Sequence, residues 1–244
     1  MTDLAQRLTA AERRQDWPNV RPSDAAALIL LDRSGKQPRV LMGLRHPGHR
    51  FMPNVFVFPG GRMEASDRNM PVFGMLDADS DRRLQQSVSR ASASRPRALA
   101  AAAIREMYEE TGLLVGTKEA GAPVCPADSW KAFEEHALFP NLESLTFVLR
   151  AITPPRRPKR FDTRFFTADI SAVSGKVEGM VGPESELIET RWLTFAETEK
   201  AELPTITRVI LDEVQARLEA GFGQRLPVPF YSMHHGRFVR ALLD

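Results

Sequence analysis

A single cysteine, Cys125, stands in a chain of 244 residues. That excludes an intrachain disulfide framework and a cysteine-rich zinc site. No apolar run approaches the ~20 residues that a membrane-crossing helix needs. The stretch Met1 to Trp17 carries charges where a signal peptide has its apolar centre. The final Ala-Leu-Leu-Asp carries no peroxisomal address, so a cytoplasmic protein is expected. The formal net charge is only +2, too small to imply nucleic acid as a bulk partner, and a membrane is not an expected partner either. What is present fits a soluble globular protein: 43% hydrophobic and 26% charged residues, with enough chain for a substantial core.

Local patterning divides the chain. Leu4 to Arg14 reads as a short surface helix. Ala25 to Leu31 and Arg39 to Leu44 have strand length and composition, with the turn Arg33-Ser34-Gly35-Lys36 between them. Val55 to Phe58 is β-prone and stops at Pro59-Gly60-Gly61. Residues 67–96 are polar and read as non-core, with room for one short helix from Asp79 to Arg90. Arg97 to Thr111 is the strongest helix: its start is alanine-rich, and Gly112 stands where a left-handed cap belongs. Further on, Trp130 to Ala137 reads as helix, and Leu145 to Ile152 and Phe161 to Ala168 read as strands. Glu189 to Leu193 reads as a strand leading into a helix at Ala196. Thr207 to Ala220 is an amphipathic helix. No internal repeat or linker interrupts the order, so one α/β domain spanning residues 1–244 is expected.

The end of the strongest helix is chemically unusual. Glu106, Glu109 and Glu110 project within an arc of roughly 100° on an α-helix. Like charges at that spacing repel unless a cation compensates. The only local cation is Arg105, one against three. A hard divalent metal held by carboxylate oxygens, Mg²⁺ or Mn²⁺, resolves the imbalance. Upstream, Gly60 and Gly61 let the backbone turn sharply and approach a metal or phosphate closely.

These strings together resemble the Nudix box, G-x5-E-x7-R-E-U-x-E-E-x-G-U with U a bulky apolar residue. Arg105 to Leu113 matches its second half completely. The first half matches at Gly61, but Asp67 stands where the family has glutamate. Residues 68–104 separate Asp67 from Arg105, 37 positions in place of seven. An insertion of about thirty residues between loop and helix can bulge outward for a modest loop-closure cost. An interrupted box is similar to the subgroup containing the mammalian peroxisomal Nudix enzyme that cleaves coenzyme A. The flanking strings Arg50 to Pro59 and Arg160 to Phe166 strengthen that likeness.

The resemblance implies a Nudix fold, an α/β (α+β) architecture with a mixed β-sheet sandwiched between α-helices. It further implies an insertion at residues 68–97 and a C-terminal helical extension at residues 204–244. The implied activity is hydrolysis of the diphosphate bond in a nucleoside diphosphate linked to another moiety, an acid-anhydride hydrolase reaction. Coenzyme A or an acyl-CoA is the leading substrate. ADP-ribose, NADH or a related dinucleotide is the alternative, as is a non-catalytic nucleotide sensor. By the same resemblance the Gly61 carbonyl joins Glu106, Glu109 and Glu110 as a metal ligand. Arg105 is expected to partner carboxylates, with a substrate clamp as the other option. Glu186, ahead of Glu189, is the expected general base.

Arg156, Arg157, Lys159, Arg160 and Arg164 form a basic cluster that either grips substrate phosphates or is a solvated edge. Arg45, Arg160 and Arg164 are the substrate-binding candidates, with Phe161 as a base-stacking residue or core. The insertion is either a lid or a surface elaboration. Oligomeric state is open, a homodimer being one option.

Overall fold

Seven consecutive apolar residues, Ala25 to Leu31, cannot all face one side of a pleated strand. The computed structural model describes residues 3–11, 16–48, 53–88, 91–222 and 225–244. In it these residues form the middle of a strand buried on both faces. The chain begins with α1 (Leu4–Ala11), β1 (Ser23–Asp32), β2 (Arg39–Arg45), β3 (Phe56–Val57), β4 (Gly60–Arg62) and α2 (Ala65–Asn69). It continues through α3 (Ala78–Leu84), α4 (Arg95–Thr111), β5 (Leu113–Thr117), α5 (Lys131–Glu135), β6 (Phe139–Pro140) and β7 (Thr146–Ile152). Then follow β8 (Phe161–Asp169), β9 (Val173–Lys176), β10 (Leu187–Thr194), α6 (Phe195–Lys200), α7 (Thr205–Glu219), β11 (Val228–His234) and β12 (Arg237–Leu243).

Among the described residues the main sheet runs β10-β2-β1-β8-β7-β11-β12, with β3 on β2 and β4 on β1. It is mixed: β1 and β8 pair in parallel, as do β7 and β11, and the other neighbours are antiparallel. A smaller sheet, β6-β5-β9, extends the end of α4. Alternate residues of β1 enter two cores. Ala26, Leu28 and Leu30 pack with Leu99, Ala103 and Met107 of α4. Ala27, Ile29 and Leu31 pack with Val209, Ile210 and Val214 of α7. The sheet therefore lies between helices, as expected.

Helix α4 is covered almost all round. Pro96 sits in its first turn, where a missing amide proton costs nothing. Ala98 and Ala100 to Ala103 have no exposed surface, and these small side chains let sheet and insertion approach closely. Gly112 adopts φ 78° and donates its amide to the Tyr108 carbonyl at 2.7 Å, ending the helix.

Two expectations need correction. Residues 67–96 do contribute to the core: Met70, Leu76 and Leu84 are buried against α4. Arginines bind the segment to the main body. Arg97 donates to the carbonyls of Arg68 and Met70, and Arg150 to those of Gln86 (3.0 Å) and Ser87 (3.2 Å). Polar composition misled because guanidiniums, rather than apolar runs, satisfy this backbone. Its helix is also shorter than expected, Ala78–Leu84.

The second correction concerns residues 204–244, where only α7 is helical. The rest is the β11–β12 hairpin, closed by His235 (φ 48°) and Gly236 (φ 79°), the positive pair that a two-residue hairpin turn requires. Pro229 discouraged a strand assignment. Three sequence readings partly escape description: residues 12–15, at the end of the N-terminal helix, residues 49–52, in the Arg50 to Pro59 string, and residues 89–90, at the end of the Asp79 to Arg90 helix, lie outside the described residues.

If the insertion is structural, Leu84→Ala should destabilise the protein by about 2–4 kcal/mol, as for a packed core leucine. A shift below about 0.5 kcal/mol in a urea titration would mark the segment as surface decoration instead.

Candidate active site

Arg105 has five N–H groups, and all five are used. Nε donates to Asp67 Oδ1 (2.8 Å), and Nη2 to Asp67 Oδ2 (3.1 Å) and the Arg62 carbonyl (2.8 Å). Nη1 donates to Glu106 Oε1 (2.8 Å) and Glu109 Oε2 (2.7 Å). The guanidinium is 1% exposed and Asp67 fully buried, so the ordinary weakness of surface ion pairs does not apply here. Burial works against the charge on Arg105, but Asp67, Glu106 and Glu109 more than offset it and raise its pKa.

Asp67 is the residue that departs from the expected glutamate, and it still reaches the arginine. Its second task explains the fit. It lies in the first turn of α2, where Oδ2 also accepts the Glu64 amide at 2.7 Å, so the helix start holds the short side chain in place. Sequence reading missed Glu64 itself, whose charge raises the pKa of Glu109. It sits three residues before Asp67, the only available signal.

The glycines have distinct roles. A Cβ on Gly61 would lie 2.5 Å from Glu106 Oε2, and one on Gly60 would lie 2.5 Å from the Ala27 Cβ. Strand β4, paired to β1 through Ala26 and Ala27, is thus pressed between sheet and carboxylates with no space for a side chain.

Glu110 faces the other way from this ion-pair hub. It is buried, and its Oε2 has no hydrogen-bond partner. Burial, then the charges of Glu186 and Glu106, push its pKa well up; Arg45 and the Gly60 backbone oppose them. Glu186 is held by Arg45 Nη2 at 2.8 Å, and its carbonyl accepts the His46 amide at 3.0 Å. Glu189, the second base candidate, pairs with Arg191 at the surface instead. Burial likewise raises Glu106, to about 7, although Arg105 counteracts it.

The site therefore assembles Gly61, Arg105, Glu106, Glu109, Glu110, Arg45 and Glu186. Three expected substrate contacts lie elsewhere. Arg164 has no exposed surface and bonds Asp24 Oδ1 (2.9 Å) and the Asp162 carbonyl (2.6 Å), out of any ligand's reach. Arg160 bonds Asn19 Oδ1 (2.9 Å) and the carbonyls of Val20 (2.7 Å) and Thr153 (3.1 Å), tying down the segment before β1. Phe161 shares the strand face of Phe165, which packs in the core under α7, on the opposite side of the sheet from the glutamates. A strand's period of two separates Phe161 from the site, which the linear string could not show.

Among the described residues no three carboxylate, histidine or cysteine side chains already converge as a complete metal cage. Two of the three glutamates are turned onto Arg105 instead. The donor set nevertheless suits a hard cation. Glu106 lies within electrostatic range of Glu109 and Asp67, Glu109 of Glu64 and Asp67, and Glu110 of Glu186 and Glu106; among the described residues Arg105 and Arg45 are the guanidiniums that act on these glutamates. A buried carboxylate oxygen on Glu110 lacks a partner. Magnesium retains several waters and does not need an all-protein cage.

No protein-family model matches the chain, and no curated protein matches it. Solved structures do. A Nudix hydrolase from Alicyclobacillus acidocaldarius aligns at 24% identity and TM-score 0.60, covering 85% of this chain and 97% of that one. The NUDIX domain of Shewanella oneidensis NrtR, complexed with ADP ribose, aligns at 13% identity and TM-score 0.46, covering 89% and 99%. A C. elegans Ap4A hydrolase aligns at 12% identity and TM-score 0.42, covering 81% and 99%. The first of these supplies the assignment: the chain has the Nudix hydrolase fold.

Because folded Glu106 and Glu110 hold protons that the unfolded chain has already released, metal-free protein should lose stability as pH rises from the ordinary carboxylate range through about 7. Glu106→Gln, which cannot ionise, should flatten that slope. Thermal melts in chelator at about pH 5 and about pH 8 check both. A wild-type midpoint that rises over the interval contradicts the assignment.

Proposed function

We propose that this chain is a metal-dependent hydrolase that cleaves the diphosphate bond of a nucleoside diphosphate linked to another moiety. The observation that carries the proposal is the five-bond Arg105 hub, which fixes Glu106 beside Gly61, holds Glu109 one turn further on, and leaves a buried Glu110 oxygen without a hydrogen-bond partner. Carboxylates gathered this closely make a poor packing element and a good cation site.

Glu106, Glu109, Glu110 and the Gly61 carbonyl would hold Mg²⁺ or Mn²⁺. When bound, the metal neutralises the diphosphate, orients it and lowers the pKa of the attacking water. Arg105 keeps the glutamates in fixed rotamers, so little reorganisation accompanies binding. Glu186 is the base in this reading: its carboxylate takes the proton of the water that displaces the leaving phosphate. Arg45 orients Glu186 rather than gripping substrate, since the ion pair already engages it. Arg160, Arg164 and Phe161 are not proposed as substrate contacts.

Coenzyme A or an acyl-CoA is the leading substrate, on the likeness of the interrupted box and its flanking strings. ADP-ribose or NADH is the second. A nucleotide sensor without turnover is the rival from another class, disfavoured because a pure binder gains nothing from the carboxylate cluster. In this reading the protein acts as one domain over residues 1–244 and in the cytoplasm. Nucleic acid is not its substrate.

Assaying nucleotide release with Mg²⁺ or Mn²⁺ from coenzyme A, ADP-ribose, NADH and capped RNA tests the proposal. Glu109→Gln and Glu110→Gln should each lower turnover by about 10²-fold or more while leaving the circular dichroism spectrum unchanged. Near-normal rates in both variants at saturating metal would remove the glutamates from the chemistry. Ligand binding without release from any panel member would favour the sensor.

A further inference from the structure

A second concentration of charge lies beside α7, on the opposite side of the sheet from the glutamates. There the β11–β12 hairpin packs beside α7 and leaves an open depression of about 230 Å³, lined by Glu213, Arg217, Ala220, Leu226, Arg240 and Leu242 among others. It is smaller than the ~300 Å³ at which drug-sized ligands begin to fit, which favours a small ligand.

Its carboxylate is already engaged. Glu213 Oε1 accepts from the buried Tyr231 hydroxyl at 2.5 Å and from Arg240 Nε at 2.6 Å, and Oε2 accepts from Arg240 Nη2 at 3.1 Å. Arg217 is different. It is 6% exposed, and its hydrogen bonds go to the Pro227 carbonyl and, at 3.5 Å, the Leu226 carbonyl. Among the described residues no carboxylate forms an ion pair with it. Burial lowers its pKa to about 10; Glu213 opposes the shift, and the charges of Arg83 and Arg240 add to it. Arg83 reaches this junction from the insertion, donating to the Arg225 carbonyl at 3.2 Å. Arg83 and Arg240 thus approach Arg217 from the insertion and from β12, while Glu213, the carboxylate beside it, is already engaged by Tyr231 and Arg240. A buried cation so placed is costly unless an anion joins it.

We propose that this depression binds a small phosphoryl anion, inorganic phosphate or a phosphate monoester, through Arg217 and Arg240. Guanidinium forks from two elements match the several oxygens of a tetrahedral phosphoryl group better than the two of a carboxylate. The site is independent of the proposed hydrolase activity.

Calorimetric titration of the metal-free full chain with inorganic phosphate, and with acetate for comparison, tests it. Saturable phosphate binding in the millimolar range or tighter is expected, with acetate weaker. Leu242 is half-exposed at the rim, so Leu242→Glu should preserve the fold and weaken phosphate binding roughly tenfold by placing a like charge at the mouth. Arg217→Met should abolish binding; if it does not fold, Leu242→Glu decides. Glu109→Gln should leave phosphate affinity unchanged. Absent or non-saturable binding, equal affinity for acetate, sensitivity to Glu109→Gln, or indifference to Leu242→Glu would each overturn the proposal.

Discussion

Arg105 organises the carboxylate end of the molecule. A guanidinium with five satisfied donors is a rigid junction, and here it joins the end of β4, the start of α2 and two glutamates on α4. Such a junction tolerates little change. Losing one partner of a buried pair costs about 3–5 kcal/mol because the remaining charge stays buried. Lysine cannot replace it, having three donors on one nitrogen and no planar fork. The same rigidity leaves Glu110 outside the network, buried and short of a partner, which makes that side of the helix suited to an external cation.

Arginine, buried or half-buried, recurs as a fastening device. Arg95 and Arg164 meet Asp24 at the start of β1, Arg150 pairs with Asp162, and Arg97 and Arg150 hold the insertion by its carbonyls. This explains how a long polar stretch within the box can be accommodated. Its backbone is satisfied by side chains from the main body, while Met70, Leu76 and Leu84 supply modest apolar burial. The insertion packs against α4, meeting β7 through Ser80 and the terminal Asp244 carbonyl through Arg82 and Gln86.

Legibility in the sequence followed the physics of each signal. Strands β1, β2, β7 and β8 were readable because dense apolar runs of strand length have few alternatives. Helix α4 was readable from its alanines and its terminal glycine. Short-range patterns also placed Glu106, Glu109 and Glu110 together, since helical periodicity fixes their relation without the rest of the fold. The hairpin after α7 was hidden by Pro229 and by a His-Gly turn of unusual composition. Among the outlying candidates, Arg45 and Glu186 came to the cluster because β2 and β10 are neighbours. Arg160, Arg164 and Phe161 did not, though they sit in an equally suggestive string.

Local sequence alone determined the carboxylate helix and the arginine at its end, because these depend on backbone periodicity and on groups a few residues apart; the expected turn at Gly60-Gly61 is instead a strand, β4. Tertiary structure decided the rest: that Asp67 reaches Arg105 across the insertion, that Glu110 is the glutamate left unpartnered, and that Phe161 faces the wrong side of the sheet. Those outcomes depend on which strands become neighbours and which face each residue presents. Sheet order and burial set both, and neither is encoded in spacing along the chain.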